Sequence, residues 1–214
     1  MRGLIFLLII CSWLSGSADT LSSKQIEQLQ QKVRSLPDQV VNQNEVAVIE
    51  TNYGTIIFEF FPLVAPIHAM NFKKLASVGF YDSTTFHRVI PGFVIQGGDL
   101  LSRDNNPAND GTGGTGYTLP AEFGKKHLRG TVAAARMADQ VNPRKESSGC
   151  QFYICLADHT FLDKAGYTVF GQVIKGMDVA EKIAHVARDN RDRPVKDVVI
   201  LRVYVTDRNK LNLK

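Results

Sequence analysis

From Val46 onward the chain is a succession of short apolar runs of strand length, each closed by turn residues. That pattern leaves few folds open. VAVIET and TIIFEFF flank Asn52-Tyr53-Gly54, a hairpin-like turn. FHRVI and FVIQGG are split by Pro91-Gly92, and TVAAARM, QFYICLA, YTVFGQVI and DVVILRVYVT follow. Only two helical patterns interrupt the domain. One begins with Pro66 at its first position, buries Phe72, Leu75 and Ala76, and stops at Gly79. The other carries Val179, Ile183 and Val186 on one face. Strands do not alternate with helices, so a parallel βαβ sheet is excluded. The expectation is a mainly β domain, a closed or nearly closed antiparallel barrel with helices over its ends.

Residues 19–45 read as a separate extension. Ser22 and Gln25 form a capping box, Ile26, Leu29, Val33 and Leu36 recur at helical spacing, and Pro37 ends the run. Three readings stand: a short amphipathic helix lying on the domain, which is favoured, a dimerisation or tethering helix, or a disordered segment. Before it, Arg2, the apolar stretch 4–14 and the small residues Ser15-Gly16-Ser17-Ala18 form a signal-peptide pattern over residues 1–18. The apolar run is too short for a stable membrane span. Ile10 before Cys11 disfavours lipidation, which wants a small residue there. The organisation expected is thus 1–18 signal, 19–45 extension, 46–209 domain and 210–214 tail.

Of 214 residues, 44% are hydrophobic and the formal charge is only +4, which excludes a disordered chain and gives no case for nucleic acid. Cys150 and Cys155 remain after the signal. In a strand they lie about 16 Å apart and on opposite faces, so two free, buried thiols are expected. The five histidines show no close zinc-ligand spacing, and neither a metal nor a cofactor is implied.

GTGGTGY at 111–117 fits G-x-G-x-x-G. A dinucleotide site needs a buried strand before the glycines and a helix after them. Here SRDNNPAND precedes and YTLPAEF follows, with Pro120 forbidding a continuous helix. No nucleotide is expected; the glycines serve a surface loop that needs positive φ and close backbone contact.

The segment Phe86-His87-Arg88-Val89-Ile90-Pro91-Gly92-Phe93-Val94-Ile95-Gln96-Gly97-Gly98-Asp99 closely resembles the signature of the cyclophilins, peptidyl-prolyl cis/trans isomerases inhibited by cyclosporin. Agreement continues through Gly111-Thr112-Gly113-Gly114, Gln151-Phe152, Phe161-Leu162-Asp163 and Val169-Phe170-Gly171, covering about residues 46–207. The resemblance implies a closed eight-stranded antiparallel β-barrel capped by two α-helices. It implies acceleration of X-Pro isomerisation in proline-containing polypeptides during folding of exported proteins. A proline-loop binding module or chaperone with little turnover is the other reading.

By resemblance, Arg88 is the catalytic arginine and Gln96 holds the peptide backbone and positions it. Phe93, Tyr153 and Leu162 form the proline pocket, with Val94 at its edge. Ala135 and Arg136 belong to the strand that pairs with the substrate. Gln151 joins the binding residues, and Phe161 and Tyr167 form the rim. Val94, Tyr153, Arg136, Phe161 and Tyr167 depart from the best-known cytosolic members. Tyr153 brings a hydroxyl that needs a partner. Phe161 stands where a tryptophan N–H binds cyclosporin, so weak cyclosporin binding is expected. Arg136, Phe161 and Tyr167 resemble bacterial exported members, and a bacterial periplasm or cell envelope fits them best, with the eukaryotic secretory pathway as the other destination. The polar loop 139–149 either shapes the subsite before proline or is simply solvated, and the second reading is favoured.

Overall fold

The computed structural model describes residues 21–211 and residue 213. The signal-peptide pattern at 1–18 lies outside the described residues. The chain runs α1 (Ser23–Ser35), β1 (Glu45–Thr51), β2 (Gly54–Phe60), α2 (Pro66–Ser77), β3 (Arg88–Ile90) and β4 (Val94–Gly97). It continues with β5 (Thr118–Leu119), β6 (Thr131–Ala134), β7 (Ser147–Ser148), β8 (Phe152–Cys155), α3 (Thr160–Ala165), β9 (Val169–Lys175), α4 (Met177–Ala184) and β10 (Ile200–Asp207).

Eight strands form one curled antiparallel sheet in the order β10-β1-β2-β9-β6-β8-β4-β3, while β5 and β7 pair separately. The expected closed barrel is not formed; the sheet is an open half-barrel. Residues just before β3 reach the start of β10 through one isolated bridge, Thr85 to Val199, with Phe86 N–H donating to Val198 O at 2.9 Å and Ile200 N–H to Thr84 O at 2.7 Å. No ladder continues from it. The reason is local: β3 has three residues, and its edge donor, Val89 N–H, goes to Asp192 O at 2.8 Å in the loop before β10. A covering loop, rather than β10, protects that edge.

Strand alternation divides the apolar residues between two faces. Val89, Ile95, Val132, Ala134, Phe152, Ile154 and Phe170 point into the main core with the aromatic residues of β2 and α2. Their neighbours Val94, Ala133, Tyr153, Cys155 and Val169 point the other way and form a second cluster with Leu162. That is the period of two at work. It also explains why β6 and β8 are buried at every position: both faces are covered.

α2 and α4 are the two helices expected over the sheet, and α4 ends at Ala184, two residues short of Val186. α3, only six residues, was not apparent from periodicity. α1 has the capping box, with Ser22 Oγ accepting from Gln25 N–H and Gln25 Oε1 accepting from Ser22 N–H. Val33 is 1% exposed, and Leu21, Ile26 and Leu29 pack against the main core, so α1 lies on the domain. Cys150 and Cys155 are buried and free, one in each cluster. Among the described residues no helix is long and apolar enough to cross a membrane.

Candidate active site

The β3–β4 turn sets the site. Phe93 N–H donates to Ile90 O at 3.0 Å, closing a turn with Pro91 and Gly92 at its centre; Gly92 has φ +72°. Pro fixes the first central φ, and only glycine takes the second without strain. This tight turn places Arg88 directly opposite Gln96. Gln96 faces Tyr153 on β8, Tyr153 faces Ala133 on β6, and Ala133 faces Val169 on β9. Five side chains separated by up to 81 positions thus form one transverse row on the second face of the sheet. Close passage of the chain after β4 requires Gly98, at φ +84°, where a Cβ would stand 2.6 Å from Cys150 O.

Arg88, Phe93, Val94, Gln96, Ala135, Arg136, Tyr153, Leu162 and Tyr167 line a cavity of about 170 Å³ over this row. Phe93, Val94, Ala135, Leu162 and the rings of Tyr153 and Tyr167 give it apolar walls, and Arg88, Gln96 and Arg136 bring polar groups to it. The other two residues expected at the site lie beside it. Phe161 is 56% exposed on α3 and stacks on Phe93, with ring centroids 5.8 Å apart. Gln151 accepts a hydrogen bond from Gln96 Nε2 at 3.1 Å through Oε1. Its own Nε2 donates to the carbonyls of Gly111 and Gly113, at 2.8 and 3.0 Å. The amide of Gln96 is therefore oriented by Gln151, which is oriented by the glycine-rich loop.

That loop answers the sequence question about GTGGTGY. It wraps the buried carboxylate of Asp99, which accepts from Leu101 N–H at 3.0 Å and from Gly111 N–H. At Gly113 a Cβ would fall 2.1 Å from Asp99 Oδ1. The strand β5 follows it, not a helix. The glycines serve close backbone contact around a carboxylate.

Ala135 and Arg136 lie just past the end of β6, and the structure separates their tasks. Ala135 has both backbone groups engaged, its N–H with Gln151 O and its carbonyl with Ser148 N–H. Among the described residues, the backbone N–H and carbonyl of Arg136 have no such partner. The Arg136 side chain turns inward and is 3% exposed. Its Nε and Nη2 donate to Gly166 O and Ala165 O at 3.0 and 2.6 Å, and the guanidinium lies 4.5 Å from the Tyr167 ring centre. It clamps the end of α3 and the Tyr167 wall. Arg is suited to this, since a planar fork can donate and stack at once.

Three residues at the site were not singled out in the sequence. Tyr153 OH donates to His127 Nε2 at 3.0 Å, and His127 Nδ1–H donates to Asp163 Oδ1 at 2.7 Å. The hydroxyl of Tyr153 thus has its partner, at the base of the cavity. Burial lowers the His127 pKa, against the pull of Asp163, and leaves a neutral ring. Burial raises the Asp163 carboxyl, but hydrogen bonds from the His127 ring and backbone together outweigh it and hold it low. Burial also pushes the Tyr153 phenol far up, so it keeps the proton it donates to His127. His159, the third residue, donates from Nε2 to Phe93 O at 2.9 Å and packs edge-on against the Phe93 ring at 4.8 Å. The sequence offered only unassigned histidines, because each partner is 26 to 66 positions away.

The loop 139–149 lies across from the glycine-rich loop. Together with Gln96, Ala135 and Arg136 they enclose a groove of about 800 Å³ that continues from the cavity. Val141 and Met137 stand on it, 69% and 67% exposed. The loop is therefore one wall of the site's approach, as well as being solvated.

Comparison with known proteins agrees with this geometry. Residues 46–205 match the family model of the cyclophilin type peptidyl-prolyl cis-trans isomerases/CLD. The chain is 38% identical over 165 residues to peptidyl-prolyl cis-trans isomerase A of Dickeya dadantii, covering 72% of this chain and 80% of that one. It is 39% identical over 174 residues to a peptidyl-prolyl cis-trans isomerase of Acinetobacter baylyi, covering 78% and 88%. Among solved structures it resembles a Cryptosporidium parvum cyclophilin type isomerase, with TM-score 0.67, 28% identity, and coverage of 76% and 98%. The same protein was also crystallised in the presence of the dipeptide Ala-Pro, and that structure matches with TM-score 0.66. The chain belongs to the cyclophilin-type peptidyl-prolyl cis-trans isomerases.

Proposed function

We propose that the cavity holds the proline ring of a polypeptide substrate and that Arg88 and Gln96 act on the bond preceding it. Rotation about X-Pro is slow because amide resonance must be lost, at a barrier of about 20 kcal/mol. No covalent step is needed to lower it. In the twisted amide the prolyl nitrogen regains a localised lone pair. A donor aimed at that nitrogen stabilises the transition state more than the planar ground state. Arg88 supplies a donor that stays charged. It lines the cavity, with its guanidinium carbon 6.0 Å from the Phe93 ring centre.

Phe93, Tyr153, Leu162 and Tyr167 grip the ring and exclude water. Gln96, held by Gln151, binds the peptide carbonyl. The free backbone groups of Arg136 pair with the substrate strand, since those of Ala135 are occupied. The row Arg88–Gln96–Tyr153, aligned across three strands, carries this reading. We further propose, from the pattern at 1–18, that the protein is exported and acts on exported chains, in a bacterial periplasm or envelope.

The test is isomerisation of an Ala-Xaa-Pro-Phe peptide by the protein and by Arg88→Ala. The variant should lose about 100- to 1000-fold in kcat/KM, the effect of removing one preorganised charged donor, while its circular dichroism is unchanged. Full activity in a folded Arg88→Ala would remove Arg88 from the mechanism.

A further inference from the structure

The glycine-rich wall of the groove is held from outside the family domain. On α1, Gln30 Nε2 donates to Gly114 O at 2.6 Å. One turn later, Arg34 Nη2 donates to Gly116 O at 3.1 Å and lies 3.4 Å from Thr115 O. These three carbonyls are consecutive, and they sit 81 to 84 positions from the side chains that hold them. The spacing i, i+4 on α1 places both donors on one face. The apolar face, Ile26, Leu29 and Val33, anchors the helix to the core. α1 precedes the matched span 46–205 entirely.

Within this stretch Thr115 is buried against Gly149, with its hydroxyl donating to Tyr117 O at 3.0 Å, and α1 holds the two glycines that flank it. Around Gly114 a Cβ would meet nothing within 4 Å. Around Gly116, at φ +76°, the nearest atoms are the Arg34 guanidinium, at 2.3 Å, and the Gln30 amide carbon, at 3.8 Å. The same loop presents Gly111 O and Gly113 O to Gln151, which orients Gln96. One side of the loop therefore receives α1, and the other side lines the groove that leads out of the proline cavity.

We propose that α1 is a positioning element of the isomerase site. Gln30 and Arg34 fix the 114–116 carbonyls and so set the shape of the groove that accepts the residue flanking the substrate proline. Neither side chain touches substrate. Their effect is on discrimination between flanking residues, through the loop. This rests on the proline occupying the adjoining cavity.

The experiment compares kcat and KM for a series of Ala-Xaa-Pro-Phe peptides, with Xaa small, bulky apolar, acidic or basic. It uses the protein as it stands, the Gln30→Ala/Arg34→Ala double variant, and Gly116→Ala, which displaces Arg34 from the other side. In both variants the ratio of kcat/KM between the most and least favoured peptides should change about two- to fivefold, the leverage of one or two partly exposed hydrogen bonds. In the Gln30→Ala/Arg34→Ala variant the change should lie in KM, with kcat on the best peptide within about twofold. Arg34→Lys, which keeps a donor, should restore much of the ratio in an otherwise intact helix. Unmoved ratios would overturn the proposal, and so would a uniform fall on every peptide that tracks lost thermal stability. Because the α1 variants keep the buried anchor residues, they carry the test even where Gly116→Ala fails to fold. A wild-type protein inactive on every peptide would overturn the cavity reading and this one together. An active protein with unmoved ratios would overturn this one alone.

Discussion

Removing the hydroxyl at the base of the proline cavity, by Tyr153→Phe, isolates one hydrogen bond whose partner is fully enclosed. Tyr153 is 5% exposed and His127 1%. Asp163 takes the Nδ1 proton of a neutral His127, so Nε2 presents a lone pair, and the Tyr153 O–H is its donor. Phenylalanine keeps the ring and its edge-on contact with Tyr167 at 6.0 Å. What changes is a buried acceptor left without a donor. Such a loss costs about 1–3 kcal/mol, offset in part because a hydroxyl no longer has to be desolvated, leaving about 1–2 kcal/mol. For a chain of this size that is a fall of about 2–8 °C in Tm. Differential scanning calorimetry reads it directly. Activity should stay within about threefold, since the hydroxyl points to His127 and the cavity wall is otherwise intact. A double-mutant cycle with His127→Leu should show coupling of about 1–2 kcal/mol, the double variant costing less than the two singles together. A Tm for Tyr153→Phe equal to or above that of the wild type would refute the chain Tyr153–His127–Asp163 as a source of stability.

Three further outcomes are expected. Burial lowers the His87 pKa to about 4, so the unfolded chain binds a proton there before the folded one does; stability should fall as pH drops from about 6.5 towards 4, by at most about 3 kcal/mol from this group. Burial raises Asp99 and Asp110, which act in the opposite sense above ordinary carboxylate pKa values, so the reading is the difference between wild type and His87→Gln, whose denaturation midpoint should fall less, or rise, as the pH drops through that window. An unchanged pH profile in His87→Gln would sink it. Burial pushes the Cys150 and Cys155 thiols up to about 12 and about 11, so a maleimide gel-shift should label neither in the native protein and both after denaturation. Cyclosporin should inhibit weakly, and Phe161→Trp, restoring a donor at the rim beside Phe93, should tighten it about tenfold or more. Nanomolar inhibition of the unaltered protein would show that the rim donor is dispensable.

Much of the site was legible before any coordinates. Apolar alternation and turn residues named the strands, and period two alone told which residues of QFYICLA share a face. Pro91-Gly92 specified the turn that sets Arg88 against Gln96. The motif from Phe86 to Asp99 then identified the family, and nine of the eleven residues expected from the resemblance line one cavity. These features are local, or repeat at a fixed spacing, and so are written directly in the order of residues.

Tertiary structure decided the rest, because those choices depend on which distant groups meet. Sequence spacing does not say that His127 takes the Tyr153 hydroxyl, that Arg136 spends its side chain on the end of α3, or that the sheet stays open because Asp192 claims the edge of β3. Nor does it say that a helix beginning at Ser23 supports carbonyls at 114 to 116. Each of these satisfies a polar group that burial would otherwise leave unpaired, or holds loop carbonyls whose partners lie far away along the chain. Backbone preference fixes the elements one at a time. Only packing them into one body brings such groups within hydrogen-bonding distance, and it is there that the donors and acceptors are assigned.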